Sequence, residues 1–160
     1  MFSMGRGIQL TLDEWFYHWF GDETNYNSVT KLFIAIFEIC DKIVLQKGTP
    51  LAKKFYVLCE ESINYPPIER SAAKMIARLF LQNIDKVYWV NEVEELNKDI
   101  ISRLPRKDLY LVQMCLQTHN KLLITSDRTL FQNLFDNKEV LGITPFMVDK
   151  FINHYPDIDF

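Results

Sequence analysis

A chain of 160 residues that is 48% hydrophobic and 14% aromatic is too apolar for disorder and long enough to bury a core, most simply as one domain over residues 1–160. Its net charge of -3 leaves no global basic footprint, so contact with nucleic acid has to come from a local patch or from metal ions. No apolar run approaches the length needed to span a bilayer, and the opening Met-Phe-Ser-Met-Gly-Arg-Gly lacks the apolar centre of a signal peptide.

Ile8 to Leu12 alternates apolar and polar residues and predicts a first strand ending at Asp13. Trp15, Phe16, Trp19 and Phe20 predict a short helix that Gly21 breaks, with a polar loop from Asp22 to Asn27. Val29, Leu32, Phe33, Ile36, Phe37 and Cys40 recur at helical spacing, with Ser28 placed to cap them. Asp41 ends that helix, and Ile43 to Leu45 reads as a second strand. Gly48-Thr49-Pro50 gives a turn, a cap and a first helical residue, and the helix that follows turns Phe55, Leu58 and Cys59 inward. Pro66 and Pro67 open another helix, whose inward face is expected to hold Ile68, Ala72, Met75, Ile76 and Leu79.

Val87 to Val90 is a compact β-prone run and predicts a third strand. Asn91 is expected to cap a short acidic helix with Glu92, Glu94 and Glu95 on a solvated face. Asp108 then opens a helix with Leu109, Val112 and Leu116 on its apolar side. A strand from Leu122 to Ile124 and a short helix from Asp127 to Phe135 come next. Glu139 to Ile143 is expected as an edge strand, and Thr144-Pro145 as the cap of a last helix carrying Phe146, Val148, Phe151 and Ile152. Strands alternating with helices imply a three-layer α/β fold, a central and mostly parallel sheet with helices on both faces.

The chemistry concentrates between Leu104 and Phe131. The turn between the Asp108 helix and the Leu122–Ile124 strand is tight, so Asp108 and Asp127 can face the same sheet edge. That strand delivers Thr125, Ser126 and Asp127 at its carboxyl end, where open α/β folds bind their ligands. Two carboxylates there suit a hard divalent cation, which takes oxygen ligands. Each aspartate taken singly fits a helix cap. Taken together, in this order around one short strand, they favour a site.

The run Leu104-Pro105-Arg106-Lys107-Asp108, its apolar helix, and Leu122-Leu123-Ile124-Thr125-Ser126-Asp127-Arg128-Thr129-Leu130-Phe131 resemble the second half of a PIN domain. The resemblance continues to Ile143-Thr144-Pro145-Phe146 and covers about the last third of the chain. PIN domains are small α/β nucleases that cleave single-stranded RNA or DNA with magnesium or manganese, many of them toxins of toxin–antitoxin pairs and others RNA-processing factors. The resemblance implies Asp13, Asp108 and Asp127 as catalytic residues and ligands of Mg2+ or Mn2+. It also implies Thr125 and Ser126 as the hydroxyl residues beside Asp127, and single-stranded RNA as substrate. An antitoxin-like protein is the partner it implies; a second copy of the chain is a further expected partner. The family's remaining acid, a glutamate in the helix after the second strand, aligns here with Lys54. A lysine at that place competes with a metal for the carboxylates, or touches a phosphate as a point charge.

Phosphodiester hydrolysis needs charge stabilisation on the phosphoryl oxygens and a nucleophile made from water, and metal ions held by carboxylates supply both. Lys42, Lys47, Lys53, Lys54, Arg103, Arg106, Lys107 and Arg128 are expected near the same edge, with Lys54 and Arg128 as contacts for an anionic substrate. His18, His119 and His154 are too scattered for a ligand set. The run Trp15-Phe16-Tyr17-His18-Trp19-Phe20 reads first as core or an oligomer contact, and second as a base-stacking platform. Cys40, Cys59 and Cys115 lie in apolar helical patterns and make no Cys-x-x-Cys pair, so they read as buried reduced thiols of a cytoplasmic protein. Two functions remain open: a metal-dependent endoribonuclease, or a PIN-like scaffold that has lost an acid and serves as a module binding nucleic acid or protein.

Overall fold

A computed structural model describes residues 7–158 and 160; the opening segment Met1 to Arg6 lies outside them. Five strands, β1 (Gln9–Leu12), β2 (Lys42–Leu45), β3 (Val87–Trp89), β4 (Leu122–Thr125) and β5 (Thr144–Met147), form one sheet in the order β3-β2-β1-β4-β5. Every pairing is parallel. Nine α-helices fill the connections among the described residues: α1 (Trp15–Phe20), α2 (Tyr26–Ile39), α3 (Pro50–Val57), α4 (Pro67–Leu81), α5 (Lys98–Arg103), α6 (Leu109–Leu116), α7 (Arg128–Asp136), α8 (Lys138–Leu141) and α9 (Val148–His154). The chain steps outward from β1 to β2 to β3, then crosses back to β4 and β5. Right-handed crossovers in opposite directions put α1–α4 on one face of the sheet and α6 and α7 on the other. Among the described residues no helix is long and apolar enough to cross a membrane.

Burial on both faces explains the strand sequences. β1 and β4 are buried at every residue, and the Leu122-Leu123-Ile124 run has no polar alternation. On the α1–α4 face, Phe16, Phe20, Phe33, Phe55 and Phe80 pack as a fully buried cluster with ring centroids 5.4 to 6.4 Å apart. These are edge-on and tilted pairs, the arrangements that ring quadrupoles favour. Trp15, Phe16 and Phe20 are therefore core, while Tyr17 and Trp19 are half-buried and His18 is exposed. His119 and His154 are exposed as well.

Several elements differ from the expectation. α2 starts at Tyr26 rather than after Ser28, because the carbonyl of Asp22 accepts from the amides of Asn25 and Tyr26 and winds the chain early. The acidic run 92–95 is irregular and solvated; the helix begins later, where the Asn97 side chain accepts from the Asp99 amide at 2.9 Å. Residues 138–141 are helical, and the edge strand is β5, whose start is set by the Thr144 amide donating to the Lys121 carbonyl. Pro145 thus lies in a strand rather than at a helix start, at a sheet edge where a missing amide is tolerated. The inward face of α4 is Glu69, Ala73, Ile76, Ala77 and Phe80; Ile68, Met75 and Leu79 point outward. Cys40 is exposed at the left-handed end of α2 and Cys59 is half-buried, so only Cys115 is a core thiol. All three are free.

Candidate functional site

The strand order reverses direction between β1 and β4, the switch point at whose carboxyl edge open α/β sheets bind their ligands. Asp13 follows β1 directly, and its amide donates to the Ile124 carbonyl of β4 at 2.9 Å. Trp15 locks the same turn: its indole Nε1 donates to that carbonyl at 3.1 Å. Thr125, the last residue of β4, is fully buried. Its hydroxyl donates to Asp13 Oδ2 at 2.7 Å and accepts from the Asp127 amide at 2.9 Å, tying the two acidic loops together.

Asp127 caps α7. Its Oδ1 accepts from the Thr129 and Leu130 amides at 2.8 and 3.3 Å, while Oδ2 lies 3.6 Å from Lys107 Nζ. Capping leaves Oδ2 free of the helix amides because the two roles use different oxygens.

Asp108 ends a single 3-10 turn, Arg106–Asp108, that leads into α6. It makes no side-chain cap bond. It is 6% exposed, and its Oδ2 is buried with no hydrogen-bond partner among the described residues. A buried carboxylate oxygen without a partner is costly to keep charged. Burial, and then the charge of Asp13, push the Asp108 carboxyl up to about 6; Lys107 opposes this, and Asp127 and Glu14 add to it. Burial likewise raises Asp13, against the lowering effect of its bonds to Thr125 and the Glu14 amide. The three aspartates thus share one electrostatic neighbourhood at the sheet edge.

A fourth carboxylate, Glu14, belongs to it. Its Oε1 accepts from the Tyr110 hydroxyl at 3.0 Å and its Oε2 from Lys54 Nζ at 3.2 Å. Burial and the charge of Glu14 raise the Tyr110 hydroxyl, which keeps it a donor. The Lys54 ammonium also sits 5.3 Å from the centre of the Tyr17 ring. Lys54 is therefore at the rim of the acidic group, with Glu14 as its partner. Glu14 has one signal legible in sequence, a second acid at the carboxyl end of a buried strand beside Asp13. The pairing of Lys107 with Asp127 has no local signal.

Other expected residues are less engaged. Ser126 is exposed, and among the described residues its side chain bonds to none of the acids. Arg128 is exposed on the first turn of α7. Lys42 begins β2 and so lies at the amino edge, away from the acids. Among the described residues no three His, Cys, Asp or Glu side chains stand close enough together to hold a metal ion as placed. The acids are electrostatic neighbours rather than an assembled ligand set. Comparison with protein-family models, with curated proteins and with solved structures finds no match for this chain.

Proposed function

We propose that this chain is a metal-dependent endonuclease of PIN type that cleaves single-stranded RNA, as a toxin-like or RNA-processing ribonuclease. The observation that carries the reading is Asp108 Oδ2, buried and without a hydrogen-bond partner among the described residues, in the field of Asp13, Asp127 and Glu14 near the switch point of a parallel sheet. The donor chemistry fits a hard dication: all are carboxylate oxygens, and a cation relieves the mutual repulsion that adds to burial in raising Asp13 and Asp108. Asp13, Asp108 and Asp127 would hold Mg2+ or Mn2+, which supplies Lewis acidity and a water of lowered pKa. The Thr125 hydroxyl fixes the orientation of the Asp13 carboxylate. Lys54, Lys107 and Arg128 offer positive charge to a phosphate beside the acids.

A specific observation favours a second reading. A dication needs these acids closer together than they stand, and Lys54 already neutralises Glu14. A binding module for nucleic acid or protein, with no hydrolysis, accounts for that spacing. Incubation of the purified chain with end-labelled single-stranded RNA and manganese separates the two. Cleavage that stops with chelator supports the nuclease; retention of intact RNA, with binding but no cleavage, supports the module.

A further inference from the structure

The helix α4 carries two apolar faces, and the fold uses one. Ala73, Ile76, Ala77 and Phe80 are buried against the core, where α4 packs on α2 and α1. The other face holds Ile68, Ala72, Met75 and Leu79, with Ile68 68% and Met75 48% exposed. Their spacing of four, three and four residues is the seam spacing of a coiled coil. At the helical angle per residue they fall within an arc of about 60°, extending about 17 Å along the axis. A helix apolar on two faces is ordinarily covered on both. This seam is what made the sequence predict Ile68, Met75 and Leu79 as core.

Charge says what covers it. One flank of the seam, opposite the side that turns into the core, carries Lys74 and Arg78, and these line an open groove with Ser71, Met75, Leu79 and Gln82. Lys74 is paired with Glu61, and among the described residues Arg78 has no ion-pair partner. An antiparallel two-fold pairing of α4 with its own copy would bring only Ser71, Lys74, Arg78 and Gln82 of the same flank to Arg78, none of them an acid. An acidic flank on the incoming element supplies the missing counter-charge, the arrangement that fixes partners at helix seams. We propose that the outer face of α4 is a docking surface for an amphipathic helix of another protein, one with an apolar seam and an acidic flank. The surface is independent of the acids at the sheet edge, so it stands or falls apart from the nuclease reading.

The test uses the full chain and two synthetic helical peptides. One has leucines at seam spacing and glutamates on its flanks; the other is the same peptide with lysines replacing the glutamates. Fluorescence anisotropy is expected to show saturable binding of the acidic peptide and at least about tenfold weaker binding of the basic one. Met75→Asp is expected to abolish binding. Arg78→Glu, on an exposed position that leaves the core untouched, is expected to reverse the preference between the peptides, and it carries the test if Met75→Asp fails to fold. Four results overturn the proposal. They are binding of neither peptide, equal binding of both, a concentration-dependent dimer in sedimentation that Met75→Asp dissolves, and Met75-dependent binding to phosphatidylglycerol vesicles. The third assigns the face to a second copy and the fourth to a membrane surface.

Discussion

The ammonium of Lys54 lies 3.2 Å from Glu14 Oε2, so a lysine of α3 is the counter-ion of a carboxylate that follows β1. Both side chains are about a third exposed, and solvent screens the pair. Lys54→Met is therefore expected to cost under about 1 kcal/mol of stability in denaturant unfolding. Lys54→Glu is expected to bring a carboxylate to the acidic rim and tighten manganese binding. Calorimetric titration of both proteins checks this. Unchanged affinity with both folded would mean that Lys54 does not occupy the missing-acid position.

Asp108 makes stability depend on pH in a stated direction. Its folded pKa, about 6, is raised above the ordinary carboxyl value of 3.8, so between the two the folded chain holds a proton that the unfolded chain releases. The protonated form is present in both states below about pH 4, and the cost of ionising the buried carboxyl builds from there to about pH 6. Asp108→Asn is expected to be near neutral at about pH 4 and stabilising by roughly 1–2 kcal/mol above about pH 7. Unfolding by denaturant at the two pH values gives the difference directly. An equal effect at both would show that burial does not penalise the charged form.

Asp127→Asn separates capping from chemistry. Asparagine caps helices as well as aspartate, so the bonds to Thr129 and Leu130 survive and the melting temperature is expected to hold. The lost charge is expected to lower manganese-dependent RNA cleavage by at least about a hundredfold. If wild type and variant cleave equally, the activity belongs to a contaminant and the nuclease reading loses its support.

The contact between Gly21 and Tyr65 is a packing constraint on the helix that follows Asp13. A Cβ at Gly21 would collide with the Tyr65 ring, whose hydroxyl donates to the Tyr17 carbonyl. Gly21→Ala is expected to cost about 1–3 kcal/mol by displacing the ring. The penalty is expected to shrink in a Tyr65→Ala background, where the clash is gone. A double-mutant cycle by denaturant unfolding measures the coupling, and additive penalties would place the cost elsewhere.

Local patterns determined much of this protein. Alternation located β1, and short apolar runs bounded by turns located β2, β3 and β4, each to within a residue or two; in β4, burial on both faces leaves an unbroken apolar signature. Thr49-Pro50 and Asp127 announced their helix starts for the same local reason, since a cap bonds within three residues of itself. The proximity of Asp13 and Asp127 was legible because each follows a strand of one parallel sheet, and that of Asp108 because its helix leads through a short turn into β4. Tertiary structure decided what periodicity cannot. A helical repeat cannot say which of two apolar stripes on α4 meets the core; packing against α2 selected Ala73 and Phe80 over Met75 and Leu79. Thr144-Pro145 has the local chemistry of a cap, and only pairing with β4 made it a strand. Glu14 joined the acids because Tyr110 and Lys54, 96 and 40 residues away in sequence, supply the donors that hold it, and long-range partners of that kind leave no local trace.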